Sequence, residues 1–167
     1  MNDYKYDRKS IRLKGYDYAK AGLYFVTICV QNKQCIFGNI YNDSMHLNKA
    51  GEMIEKWYKE LENKFNDIKC YDFVIMPNHI HVIIKNESSE HTGSPLHEVI
   101  KWLKTMTTNE YIRHVKSDNW LPFDGKLWQR NYYEHIIRDQ ESYNEISYYI
   151  KTNPSQWNQD QLYIESI

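Results

Sequence analysis

The sequence VIMPNHIHVII, residues 74–84, decides the fold, because it reads as a hydrophobic strand, a tight turn and a second strand. Pro77 presets the backbone angle of a turn and Asn78 tolerates the second corner of that turn. Side chains alternate between the two faces of a sheet, so His79 and His81 project from one face and Ile80, Val82 and Ile84 from the other. We therefore expect a hairpin whose second strand carries two neighbouring imidazoles.

Hydrophobic periodicity on both sides of this hairpin predicts the other elements. In chain order they are a strand over 23–31, a short irregular extension over 36–41, a helix from the cap Asn48 to about Phe65, the strand 72–76, the histidine strand, a helix opened by Pro95, an irregular segment over 127–137 that leads into a last strand, and a helix from about Asp139 to Asn153. This order predicts an α+β fold, a ferredoxin-like (RRM-like) split β-α-β antiparallel sheet with an added C-terminal helix. The histidine strand is then one of the two central strands.

Length and composition predict a single domain. The 167 residues suffice for one compact core and are too few for two ordinary domains. Within that domain we distinguish a basic N-terminal arm over 1–20, a mobile surface loop over 86–95 and a C-terminal tail over 155–167. The three cysteines lack a Cys-x-x-Cys pair, and no apolar run is long enough to cross a bilayer, so we expect a cytoplasmic protein without a disulfide framework or a membrane partner.

Charge is unevenly distributed along the chain. The formal net charge of −1 does not indicate a nucleic-acid-binding protein. However, residues 1–20 carry six Lys or Arg against three Asp, and residues 101–116 carry four against one Glu, so each segment is locally +3. The 15 tyrosines and five tryptophans exceed what a core of this size requires, and some of them can stack on unpaired bases.

The last predicted helix supplies further groups for the histidine pair. Positions four apart share a helical face, so Tyr149 lies over Asn153. The amide oxygen of Asn153, together with His79 and His81, suits a divalent cation that keeps open positions for a phosphate oxygen. Tyr149 is then one helical turn away, where its phenolic oxygen can attack a phosphodiester and form a phosphotyrosine. The alternative is that Tyr149 packs the helix against the sheet and that Asn153 is a C-terminal cap.

These motifs resemble a known family. The His-Ile-His motif in residues 76–81 is similar to that of the single-tyrosine (HUH) IS200-like transposases. Residues 128–138 and 149–154 resemble the branch that is associated with repetitive extragenic palindromes (REP). The resemblance extends from about Tyr24 to Pro154, and the motifs occur in the expected order.

The resemblance implies an activity, a cofactor and a partner. The implied ligands of Mg²⁺ or Mn²⁺ are His79, His81 and Asn153, and the implied nucleophile is Tyr149. The implied substrate is single-stranded DNA folded into a hairpin, which is cut to leave a 5′-phosphotyrosine and a free 3′-OH before strand transfer by a monomer or homodimer. The candidates for contacts with the DNA backbone are Arg12, Lys14, Lys101, Lys104 and Arg130.

Other functions agree with part of the sequence. A histidine-triad nucleotide hydrolase requires a third histidine two positions after His81, and residue 83 is isoleucine. A ferredoxin-like module that binds single-stranded nucleic acid without catalysis agrees with the fold and the aromatic residues. An inactive or domesticated transposase retains every motif, so the sequence leaves these last two alternatives open.

Overall fold

The computed structural model describes residues 21–88 and 93–164. The strands are β1 (Gly22–Cys29), β2 (Gly38–Tyr41), β3 (Ser44–Leu47), β4 (Ile68–Ile75), β5 (His79–Asn86) and β6 (Tyr133–Ile137), and the helices are α1 (Lys49–Lys64), α2 (Leu96–Ser117) and α3 (Gln140–Thr152). A short 3-10 segment, Asn153–Gln159, follows α3. The basic arm predicted over 1–20 lies outside the described residues, together with Arg12 and Lys14.

The main sheet is antiparallel and has the strand order β4-β5-β1-β6, while β2 and β3 form a separate hairpin. The histidine strand β5 pairs with β1 from His79 to Asn86 and with β4 on its other side. It is therefore a central strand, as the sequence predicts. Apart from the extra hairpin, the elements follow the predicted β-α-β-β-α-β order and end with the predicted third helix. The α+β class and the antiparallel sheet are confirmed.

Helices α1 and α2 cover one face of the sheet, which we call the helix face. The core there includes residues from both central strands and both helices: Tyr24, Val26, Ile28, Ile80, Val82, Ile84, Ile54, Leu61, Val99 and Leu103. Burying each large apolar side chain contributes about 1.5–3 kcal/mol, so this layer supplies most of the stability. Within the described residues, none of the helices combines the length and the apolar character that a bilayer-spanning segment needs.

Helix α3 lies on the opposite face, which we call the site face. A smaller apolar cluster of Ile83, Ile137 and Ile150 joins α3 to the sheet. Asp139 caps the start of the helix by accepting a hydrogen bond from the Ser142 backbone N–H at 2.8 Å. Because α3 and the segment after it cover β5, this central strand is buried on both of its faces.

Two element predictions were wrong in their extent. Residues 36–41 do not form an irregular extension, because the chain continues into the β2-β3 hairpin, whose turn residues Asn42 and Asp43 have φ of 48° and 58°. Asn and Asp tolerate this left-handed region. Strand β4 begins at Ile68, four positions before the predicted start, because a β-bulge between Cys70 and Phe73 interrupts the alternation that marks a strand in the sequence.

The segments predicted as a loop and a tail make specific contacts. Asn86 Nδ2 donates to the Ser94 carbonyl at 3.0 Å, and Ser94 Oγ donates to Asp67 Oδ1 at 2.7 Å, so the far end of the loop over 86–95 is held to β5 and to the residue before β4. Residues 89–92 lie outside the described part of the chain, and mobility of this loop stays a prediction. After α3 the chain folds back along the site face, where Trp157 is buried.

Candidate metal and tyrosine site

His79 and His81 occupy neighbouring positions on the site face of β5. Their Nε2 atoms are 3.0 Å apart, and their side chains are 0% and 4% exposed. Burial lowers the pKa of each imidazole to about 3, so both are neutral at neutral pH. Neutral imidazole is the form that binds metal ions.

Each imidazole is oriented through its other nitrogen atom. His79 Nδ1 lies 2.8 Å from Asn78 Oδ1, an acceptor, which assigns the proton to Nδ1 and the lone pair to Nε2. His81 Nδ1 lies 2.7 Å from the hydroxyl of Thr27, its partner in the β1-β5 register. These hydrogen bonds direct the two Nε2 atoms towards one point, as partners of metal-binding histidines do.

The separation of the two Nε2 atoms fits one shared cation. Two lone pairs that face each other at 3.0 Å repel unless a proton or a cation lies between them. Neighbouring ligands at about 2.1 Å from an octahedral cation are about 3.0 Å apart, which is the separation found here.

Two oxygen-bearing side chains lie beside the imidazoles. Asp160 Oδ2 is 3.8 Å from His79 Nε2, and the ligand atoms of His79, His81 and Asp160 lie within 4.8 Å of one another. Asn153 donates from Nδ2 to Asp160 Oδ2 at 3.2 Å. Its Oδ1 is buried and has no hydrogen-bond partner, which is costly for a carbonyl oxygen and is relieved by a cation. Two nitrogen and two oxygen donors thus suit a divalent cation that keeps open positions.

The Tyr149 hydroxyl lies 3.3 Å from His81 Nε2. Its ring contacts the His81 and Phe25 rings, with centroids 5.2 Å and 6.2 Å away, and Tyr149 lines an open cavity of about 450 Å³. Burial, together with the negative charge of Asp160, raises the pKa of Tyr149 to about 12, while its hydrogen bond with Asn153 opposes this rise. Tyr148 is 67% exposed, so the structure places only one of the two adjacent tyrosines beside the imidazoles.

The predicted DNA contacts that the structure describes lie on the helix face. Lys101, Lys104 and Arg130 line a groove of about 560 Å³ between α2 and residues 123–132, which we call the basic groove. Lys104 Nζ donates to the Gln129 carbonyl at 2.9 Å and also approaches the next two carbonyl oxygens. Burial lowers the pKa of Lys104 to about 8. Lys104 therefore fixes residues 129–131, which lead into β6. Lys101 and Arg130 are exposed.

Three residues of the site were missed in the sequence. Asp160 lies in the predicted C-terminal tail, and no motif surrounds it. Thr27 offered a weak signal, since it is a polar residue within an apolar strand, but the register that pairs it with His81 could not be read. Asn78 was identified only as a turn residue, and its contact with the His79 ring was not anticipated.

Comparison with known proteins identifies the family. The family model described as "Transposase IS200 like" matches residues 24–153. The chain belongs to the IS200-like transposase family. An uncharacterised protein of Haemophilus influenzae (strain KW20 / Rd) is 40% identical to this chain. The match covers 95% of this chain and 94% of the relative. A second protein of that strain, provisionally named a REP-associated tyrosine transposase, is 25% identical. The match covers 83% of this chain and 73% of that relative.

Two solved structures share the fold of this IS200-like family member. A REP-associated tyrosine transposase bound to a REP hairpin has a TM-score of 0.61 and 19% identity, with 87% of this chain and 73% of that chain covered. A provisionally named transposase from Deinococcus radiodurans R1 has a TM-score of 0.51 and 15% identity, with 84% and 96% covered. At these identities the likeness concerns the fold alone.

Proposed function

We propose that this member of the IS200-like family cuts and transfers single-stranded DNA beside a hairpin through a covalent 5′-phosphotyrosine. The observation that carries the proposal is the Tyr149 hydroxyl 3.3 Å from His81 Nε2, at the border of the His79, His81 and Asp160 cluster, whose ligand atoms lie within 4.8 Å of one another. Membership of the family supports the reaction class, and the solved relative bound to a REP hairpin supports a hairpin substrate.

We assign the cation site to His79, His81 and Asn153, and we add Asp160 as a further oxygen donor. Mg²⁺ or Mn²⁺ suits this mixed set, and a bound cation of either kind polarises a phosphodiester as a Lewis acid. Burial keeps the imidazoles neutral, and Thr27 and Asn78 hold their orientation. The unpartnered Oδ1 of Asn153 supports its place in the set.

Tyr149 supplies the oxygen nucleophile. The phenolic oxygen loses its proton and forms a bond to phosphorus, while the bond from phosphorus to the 3′-oxygen breaks. The electron pair of that bond stays on the 3′-oxygen, which takes a proton and becomes the free 3′-OH. The 5′-phosphate remains esterified to Tyr149, so attack by another 3′-OH can rejoin strands without an energy source.

The basic groove is the proposed contact for the hairpin phosphates. Lys101, Lys126 and Arg130 line it, and none of the described residues in its lining is acidic. The consecutive residues Tyr132 and Tyr133 line the basic groove and the cavity beside Tyr149, respectively. DNA held in the groove therefore reaches Tyr149 by passing around β6, which is an edge strand of the sheet. The predicted contacts Arg12 and Lys14 remain proposals on the same grounds of charge.

We further propose that the fold is of the ferredoxin-like class and that one chain completes the site. The strand order β4-β5-β1-β6 supports the first proposal. The second is supported because β5, α3 and the segment with Asp160 belong to the same chain and lie in contact. A module that binds nucleic acid without catalysis is the alternative that the experiment below separates from the enzyme.

The test is formation of a covalent adduct. Purified protein is incubated with a labelled hairpin DNA carrying single-stranded flanks and with Mn²⁺, and an adduct that survives denaturation is measured on a gel. We expect an adduct that Tyr149→Phe abolishes and that Tyr148→Phe, the matched control on the exposed side of α3, retains. An adduct that persists in Tyr149→Phe rejects the nucleophile. Binding of the hairpin without any adduct favours the non-catalytic module.

A further inference from the structure

Helix α3, which carries Tyr149, is attached to the sheet by an apolar and a polar set of contacts. The apolar set is the Ile83, Ile137 and Ile150 cluster. In the polar set, Asp72 Oδ2 on β4 accepts hydrogen bonds from Ser147 Oγ at 2.5 Å and from the Tyr143 hydroxyl at 3.3 Å. Positions 143 and 147 are one helical turn apart, so a single carboxylate holds one stripe of the helix.

The β-bulge in β4 directs Asp72 towards α3. Cys70 pairs with Ile84 and Phe73 with Val82, so both Tyr71 and Asp72 lie opposite Ile83. Such a bulge changes the direction of a side chain. On the helix face, the Tyr58 hydroxyl donates to the Ile83 carbonyl at 2.8 Å and lies 3.3 Å from the Tyr71 carbonyl, so a buried hydrogen bond supports the bulge from below.

Ser147 forms a different hydrogen bond from other hydroxyl residues in the helices. The hydroxyls of Thr107, Ser117 and Thr152 donate to the carbonyl four residues earlier in their own helix. That local bond is the usual choice of a helical Ser or Thr. Ser147 is buried and donates instead across to Asp72. The hydroxyl therefore connects the helix to the sheet.

We propose that Asp72 is a positioning residue for Tyr149, a proposal that rests on the function proposed above. The apolar cluster resists separation of α3 from the sheet but has little directional preference, whereas the two hydrogen bonds to one carboxylate fix the rotation of the helix about its axis. Side-chain tips lie about 5 Å from a helix axis, so a rotation of about 10° displaces them by about 1 Å. Misplacement of a reacting group by that distance can lower the rate about 100-fold.

Variants at both ends of this contact test the proposal through adduct formation with hairpin DNA and Mn²⁺. We expect Asp72→Ala to slow the reaction about 10- to 100-fold at saturating DNA, while the affinities for the hairpin and for Mn²⁺ change less than about twofold. Asp72→Asn keeps an acceptor oxygen for Ser147 and is expected to stay within about threefold of the unchanged protein. Ser147→Ala is expected to slow the reaction less than Asp72→Ala does, because the Tyr143 hydroxyl still donates to Asp72 in that variant. The double variant is expected to be no slower than Asp72→Ala alone, because Asp72→Ala already removes the hydrogen bond from Ser147.

Asp139→Ala is the matched control, because Asp139 caps the same helix through a hydrogen bond from the Ser142 backbone N–H and not from the sheet. It lowers thermal stability without releasing the rotation of α3, so its rate per folded molecule should match that of the unchanged protein. If Asp139→Ala slows the reaction as much as Asp72→Ala does at matched stability, or if Asp72→Ala reacts at the full rate, the positioning role is rejected.

A second measurement does not depend on cleavage. A single fluorotyrosine placed at position 149 reports the surroundings of the ring by ¹⁹F NMR. We expect its resonance to move or broaden in Asp72→Ala and to stay unchanged in Asp139→Ala. An unchanged resonance in Asp72→Ala overturns the positioning role even if the protein cuts no hairpin, whereas a moved resonance without any adduct rejects the proposed function alone.

Discussion

The two faces of strand β5 are equally buried and differ in what covers them. Ile80 on the helix face is 1% exposed, and His79 on the site face is 0% exposed. Apolar side chains of α1 and α2 contact the first, whereas polar groups from a turn, from β1 and from the segment after α3 contact His79 and His81 on the second. Burial alone therefore does not mark the candidate site. The polar character of the residues that cover His79 and His81 marks it.

The apolar layer that stabilises the sheet and the candidate metal and tyrosine site therefore lie on opposite sides of one strand. Apolar burial holds the sheet in place, and a rigid sheet holds the imidazoles and their partners in a fixed geometry. The buried polar groups on the site face gain their stability from specific partners. Substitutions on the two faces should consequently separate loss of folding from loss of activity.

His81→Ala is expected to have the largest effect. It removes a proposed metal ligand and the contact to Tyr149. Loss of a residue that only orients a metal ligand lowers activity by up to about 100-fold, so loss of the ligand itself should lower adduct formation by at least about 100-fold. Adduct yield and Mn²⁺ titration measure this effect. His46→Ala, at an exposed position on β3, is the control and should leave both quantities unchanged. Full activity of His81→Ala would remove the site face from the proposed chemistry.

Ile84→Ala is expected to lower the free energy of unfolding by about 3 kcal/mol, because it leaves a cavity in the helix-face core. Urea unfolding measures this loss. The rate of adduct formation per folded molecule should not change. The neighbouring Ile83 faces α3, so Ile83→Ala should lower both stability and rate. Equal effects of the two variants on the rate would contradict the separation of the faces.

Thr27→Val replaces the hydroxyl beside His81 Nδ1 with a methyl group of similar size. Loss of this outer partner should weaken Mn²⁺ binding about 10- to 100-fold, which corresponds to about 1.4–2.7 kcal/mol. Calorimetric titration with Mn²⁺ measures the change. Thr105→Val on α2 is the matched control, since its hydroxyl donates to the Lys101 carbonyl far from the imidazoles. Unchanged Mn²⁺ affinity in Thr27→Val would show that the hydroxyl does not orient His81.

Asn48→Ala should have the smallest effect. Asn48 caps α1 on the helix face by accepting from the Gly51 backbone N–H at 3.0 Å. Removing the cap should cost about 1 kcal/mol of stability and leave adduct formation unchanged. Thermal unfolding and the adduct assay together measure both effects. A loss of activity at full stability would mean that α1 acts on the site, which the division between the faces does not allow.

Most of the fold could be predicted because the two central strands and the helices carry clear periodicities. The alternation from Tyr24 onward and the cap at Asn48 each depend on local sequence, and the structure has both. The start of β4 could not be read, because the bulge before Phe73 breaks the two-residue period. The β2-β3 hairpin was missed because its strands have four residues each, too few for a reliable pattern.

The candidate site could be predicted only where spacing within one element determines proximity. His79 with His81, and Tyr149 with Asn153, share a face at fixed spacing along a strand and a helix, respectively. Asp160 reaches the same place through the path of the chain after α3, which no local pattern encodes. Lys104 donates to a carbonyl oxygen of its own chain, a contact that its charge alone did not indicate, and its contact with DNA stays a prediction.

Tyr132 and Tyr133 are adjacent where β6 begins, and they make the length of the segment that leads into β6 critical. Trp128 is fixed upstream by its bridge to Val30 and by a hydrogen bond to Thr107, and Tyr133 is fixed downstream by its pairing with Thr27. Between these two anchors, a one-residue insertion or deletion that shifts the pairing of β6 with β1 would exchange which ring lines the basic groove and which lines the cavity beside Tyr149. Tolerance for changes in length should accordingly begin before Trp128, in the turn around Gly125.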